Sequence, residues 1–148
     1  MKNHVSVTNQ TKATVVCRQV RIADTFATRL FGLLGKKLLE PDTGLLLQPS
    51  TGFHTWGMKF AIDVVTLDQE RKVVGTWENV GPWRMRGLDS RTRSVLELPA
   101  GQIAQSKTMV GDELALMVIR ALPEVARHAE PLAPLVFSAI GLSAVVAA

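Results

Sequence analysis

The sequence predicts a mainly β domain with minor α, in which short strands wrap into a small closed or half-closed barrel carrying one or two short helices. Three observations predict it. Five or six short runs are rich in β-branched and aromatic residues, glycine and proline punctuate them closely, and only one stretch has a convincing helical period. Closing such strands on one another removes the unpaired edges they would otherwise expose.

Thr14 to Ile22 reads as the first strand. Asp24 is then placed to cap a helix whose Phe26, Leu30, Leu33 and Leu34 share one face, with Gly35 to end it and Lys36 and Lys37 at its negative pole. Gly44 to Leu47 is an apolar run short enough for a buried strand. The clearest pair is Phe60 to Leu67 and Lys72 to Glu78, joined by the polar tetrad Asp68, Gln69, Glu70 and Arg71, which predicts a hairpin. Asn79, Gly81 and Pro82 close it. Trp83 to Arg93 has no period and is expected to be an exposed loop. Val95 to Leu98 is a strand stopped by Pro99 and Gly101, a helical turn spans Gln102 to Lys107, and Gly111 and Asp112 turn the chain into Glu113 to Ile119. In that last strand Leu114, Leu116 and Val118 share a face.

A chain of 148 residues is the size of one domain, and no internal repeat or interdomain linker divides it. Residues 1–122 form the expected β-rich domain, and Pro123, Pro131 and Pro134 mark the passage to an apolar tail over 123–148. From Pro131 to Ala148 there is no charge and 13 of 18 positions are apolar, just short of a membrane span. A membrane-associated tail, a helix docked on the domain and a loose apolar tail are the alternatives for that segment. No secretory signal is read at the start, so the expected location is cytoplasmic, with membrane association through residues 131–148 as an addition. The single Cys17 forms no internal disulfide and reads as a small buried hydrophobe.

The net charge of +4 is mild, apart from Arg84, Arg86, Arg91 and Arg93 within ten residues. Those guanidinium groups suit phosphate or anionic lipid, but Trp83 alone interleaves them, so nucleic acid is not the expected partner and a solvated loop is the simpler reading. No metal-site spacing, phosphate-binding glycine loop or nucleophile elbow occurs, and neither a metal nor a cofactor is expected.

Two places carry potential chemistry. Phe53, His54, Thr55, Trp56, Gly57, Met58 and Lys59 bring an imidazole, an indole, a thioether and an ammonium into one short stretch, which suits a pocket lining; the alternative is that the apolar members are core and His54 is structural. Asp63 shares a strand face with Ala61, Val65 and Leu67, so its carboxylate needs a partner: Arg29, Lys59 or backbone N–H groups of a tight turn. Glu97, between Leu96 and Leu98, is a second carboxyl in apolar company, and the two together with His54 are the candidates for acid/base work.

Taken in order, RLFGLLG (Arg29 to Gly35), GLLL (Gly44 to Leu47), GMKFAIDVVTLD (Gly57 to Asp68), VLELPAG (Val95 to Gly101) and VGDEL (Val110 to Leu114) resemble the prokaryotic family called domain of unknown function 192. The family-like region is about residues 22–119. The resemblance implies a β-barrel-like fold, no established activity and a bacterial source, and its pattern carries over at Arg29, Gly32, His54, Met58, Asp63, Glu97, Leu98, Gly101, Gly111 and Asp112. Ala61 stands where a proline is common and Thr66 where an aromatic is common, which implies looser packing around Asp63. Many relatives are exported or tethered through an N-terminal segment that is not read in this chain.

The resulting expectation is a noncatalytic module that presents His54, Trp56, Met58 and Lys59, with Arg29 and Asp63, to a small ligand, a peptide or a partner protein. A small hydrolase or lyase working through Asp63 and Glu97 is the alternative, and binding of anionic surfaces through residues 84–93 is a third reading.

Overall fold

Branched aliphatic residues at alternate positions shape most of the computed structural model, which describes residues 4–87 and 89–119. The strands are β1 (His4–Asn9), β2 (Thr14–Ala23), β3 (Thr43–Leu47), β4 (Phe53–His54), β5 (Ile62–Leu67), β6 (Val73–Val80), β7 (Met85–Arg86), β8 (Ser94–Pro99) and β9 (Leu114–Val118). Two short helices, α1 (Phe26–Phe31) and α2 (Gln102–Ser106), interrupt them. Seven strands make one curled half-barrel sheet in the order β6-β5-β8-β3-β2-β1-β9, and β4 pairs with β7 apart from it. Among the described residues of the large sheet only β2 and β3 run parallel.

The curl brings the two edge strands together at one end. Lys72 bridges to Glu113, Val73 donates its N–H to Asp112, and Gly111 donates back to Val73. Edge groups that would face solvent are thus paired at that end.

Two apolar clusters occupy opposite faces of the sheet. One draws on all seven strands, with Val7, Val20, Leu46, Val65, Leu67, Val73, Leu96, Leu98 and Leu114 in it, and α2 seats Ile103 against them. The other lies on the outer face of β3, β5 and β8, where Leu45, Leu47, Ile62, Val64 and Val95 meet Leu33, Leu39, Phe53 and Met58 from the covering segments. A central strand buried on both faces reads as a continuous apolar run, which is why all six residues of β5 are buried.

Several sequence expectations are corrected here. Thr14 to Ile22 is the second strand, preceded by β1, whose Val5 and Val7 already alternate with polar residues. The α1 cap is Thr25 rather than Asp24, because Thr25 and Thr28 complete a reciprocal capping box that Asp24 cannot form. The helix ends at Gly32, not Gly35, so Leu33 and Leu34 lie beyond it and diverge: Leu33 is buried and Leu34 exposed. The stretch expected to be loop contains β7, held by its pairing with β4. Val118 is exposed and does not share the burial of Leu114. The tail over 123–148 lies outside the described residues; among those described, no helix is long and apolar enough to cross a membrane.

Candidate functional site

Strand alternation separates the two carboxyls that the sequence singles out. Asp63 lies opposite Leu98, a member of the inner cluster, whereas Glu97 lies opposite Leu45 and Val64, members of the outer one. Directly paired residues of adjacent strands share a face. Asp63 and Glu97 therefore project to opposite sides of the sheet, and the expected acid/base pair is not assembled.

Asp63 is fully buried, with 0% exposure, and both of its oxygens are engaged. Oδ1 accepts the Asn79 N–H at 2.8 Å and Oδ2 the Ile103 N–H at 2.9 Å. Neither Arg29 nor Lys59 takes part; backbone amides do, one where β6 bulges at Asn79, whose φ is 50°, and one at the start of α2. Charge-assisted bonds to two amides offset the desolvation of a carboxylate. Asp63 thus ties the end of the hairpin to α2 across the sheet. No looseness follows from Ala61 and Thr66, since the carboxylate stays sealed.

Glu97 is the opposite case. It is 4% exposed and makes no side-chain hydrogen bond to the described residues, and burial pushes its carboxyl up to about 8 from the usual 4.5. It lines a cavity of about 230 Å³ together with Arg29, His54, Trp56 and Met58. Apolar wall comes from Leu33, Leu47 and Phe53. At neutral pH the carboxyl is held mostly as the neutral acid, because the apolar surroundings disfavour its charged form.

The cavity wall is built by a knot of backbone bonds around Thr55, which is 0% exposed. Its N–H donates to Arg84 O at 2.8 Å, its hydroxyl donates to Gly81 O at 2.8 Å, and the same hydroxyl accepts the Arg84 N–H at 2.9 Å. Its carbonyl accepts from Trp83 and Met58. Gly57 follows at φ 76°, a left-handed conformation that favours glycine, and a Cβ there would stand 2.7 Å from Leu34 Cδ2, which would have to shift. This turn stacks the His54 ring on Trp56, with centroids 5.2 Å apart and planes inclined at 26°. His54 Nδ1 is buried without a hydrogen-bond partner among the described residues, and Trp56 remains 51% exposed at the mouth.

His54, Trp56, Met58 and Arg29 are thus brought to one cavity, and Glu97 joins them. Asp63 and Lys59 are not: Asp63 is on the far face and Lys59 is exposed outside the lining. Thr55 was not singled out by the sequence, since nothing in its type marks a hub for two chain segments. Arg29 donates Nη1 to Asp24 O at 3.1 Å and forms no ion pair among the described residues.

The arginine stretch is exposed but partly spent on itself. Arg91 pairs with Asp89 at 2.7 Å, Arg93 donates to Ser90 and Thr92 carbonyls, and Arg86 donates to Met85 O. Cys17 is buried, and burial raises its thiol above its usual value. No group of three or more metal-ligating side chains occurs among the described residues.

The family model described as Uncharacterized ACR, the domain of unknown function 192, matches residues 5–116. A UPF0127 protein of Thermococcus sibiricus is 32% identical over 114 residues, 72% of this chain and 71% of that protein. A solved structure of a protein of unknown function from Novosphingobium aromaticivorans superposes with a TM-score of 0.65 at 23% identity, covering 76% of this chain and 83% of its own. A Sinorhizobium meliloti protein, whose description proposes a transcription regulator, gives 0.66 at 22% identity over 78% and 94%. These structural likenesses show the fold alone. The archaeal sequence relative lends no support to the expected bacterial source.

Proposed function

We propose, from the premise that this chain belongs to the domain of unknown function 192 family, whose description names no activity, that it is a noncatalytic module binding a small ligand between α1, β4 and β8. One observation carries the proposal: a buried carboxyl and a buried imidazole nitrogen, both without hydrogen-bond partners among the described residues, line the same aromatic cavity. Groups left unsatisfied in a folded protein cost about 1–3 kcal/mol each, and a ligand that pairs with them recovers part of that cost. A few polar tips in an apolar wall is the common build of a small-molecule site, and about 230 Å³ limits the occupant to a molecule smaller than drug size.

The chemistry favours binding over catalysis. Among the described residues that line the cavity Glu97 is the one carboxyl, and Asp63, the candidate partner, has both oxygens committed to backbone amides. The test is a fragment library screened against the full chain by ligand-observed NMR. Hits are expected whose signals vanish for His54→Ala and for Trp56→Ala while both variants keep the parental melting transition. Hits that survive both substitutions, or unfolding of both variants, would return the cluster to a packing role.

A further inference from the structure

The charges around the cavity have a polarity. Glu97 is 4% exposed, and burial is the cause of its shift, with no cationic group among the described residues offsetting it. Arg29 lines the same cavity, is half-buried, and spends one N–H on a carbonyl; the rest of its guanidinium has no partner among the described residues. Between them the walls are aliphatic, aromatic and thioether: Leu33, Leu47, Phe53 and Met58. A cavity with an unmatched acid inside, an underused guanidinium beside it and apolar sides is complementary to a molecule that carries an amine, an anion and an apolar body.

We propose that this site takes a small zwitterion, an α-amino acid with an apolar side chain, whose ammonium docks on Glu97 and whose carboxylate faces Arg29. The proposal rests on the reading of the cavity as a ligand site and names its ligand class. About 230 Å³ suits one amino acid rather than a peptide. The ammonium supplies the counter-charge that Glu97 lacks, and the neutral acid then gives up its proton: one O–H bond breaks, the carboxylate accepts from the ammonium, and the proton leaves to buffer. Arg29 from α1 and His54 from β4 are the other titratable groups lining the cavity, whereas β3 and β5, which flank Glu97 on the sheet, present Leu45, Leu47 and Val64 to that face.

Isothermal titration of the full chain with L-leucine tests this, alongside isoamylamine, which lacks the carboxylate, 4-methylvalerate, which lacks the amine, and the neutral 4-methylvaleramide. Leucine is expected to bind saturably, each charged analogue at least about 10-fold more weakly, and Glu97→Gln to weaken leucine by at least about 30-fold. On the unaltered protein, titration at pH 6.5 in buffers of different ionisation enthalpy should show release of close to one proton per leucine, fading as pH passes about 8. Equal binding of 4-methylvalerate, no loss in Glu97→Gln, or no proton release overturns the zwitterion. If the neutral amide binds best and His54→Ala abolishes it, the ligand site stands and the amino acid falls; if none of the probes binds and the fragment screen is also blank, both fall.

Discussion

Two buried carboxyls on neighbouring strands meet opposite fates because of where their faces look. Asp63 turns inward to a bulge and a helix start, each supplying a backbone N–H; Glu97 turns outward beneath a covering layer that supplies none. Its carboxyl titrates near 8 when folded and near 4.5 when unfolded, so between those values the folded state holds a proton that the unfolded state has released. Stability therefore falls as pH rises through that window and levels above it, with a slope of up to about 1.4 kcal/mol per pH unit from this one group. Urea denaturation from pH 5 to pH 9 should show this decline, and Glu97→Gln should flatten it. A stability that rises between pH 5 and pH 8 in the parent would contradict the assignment. From the sequence both acids were recognisable as misplaced polar groups in apolar strands. Their opposite orientation was not, because that depends on the register of β5 against β8, which no local pattern encodes.

At the scale of elements, the fold is joined by polar side chains that act far from their own turns. Asn9 at the end of β1 is buried and donates to Asp112 Oδ2 at 2.8 Å, which also accepts the Met109 N–H at 2.9 Å. Burial works against ionisation of Asp112, but the Asn9 amide, the Met109 N–H and Lys12 outweigh it and hold its carboxyl below the usual value. Asp112 therefore does more than shape a local turn: it anchors the entry to β9 on β1, where β9 pairs. Replacing Asp112 by alanine leaves Asn9 Nδ2 only its longer bond to Thr108 Oγ1, at 3.4 Å, and should lower stability by about 1–3 kcal/mol in urea denaturation. An unchanged midpoint would remove it from the framework. The hairpin of β5 and β6 was legible because length, β-branching and a polar turn agree. β4 and β7 were not, since two-residue strands carry no period and owe their existence to the Thr55 bonds.

For the whole molecule, the half-closed barrel followed from the number and brevity of the strands, and its inner cluster from their alternating residues. The site was legible in part. The density of polar and aromatic residues from His54 to Met58 pointed to the right wall, whereas Lys59, the end of that stretch, and Asp63, singled out as an acid on an apolar strand face, lie outside the cavity. Glu97 reaches it from 39 positions beyond Met58, brought there by the β3-β8-β5 order. The account stands or falls on that carboxyl, and site-resolved carbon-13 NMR of glutamate in the full chain measures it directly. The side-chain resonance of Glu97, assigned by its loss in Glu97→Gln, is predicted to titrate near pH 8. Titration near 4.5 would mean a solvated or already partnered acid, and the cavity would then hold no unmet acid for a ligand to satisfy.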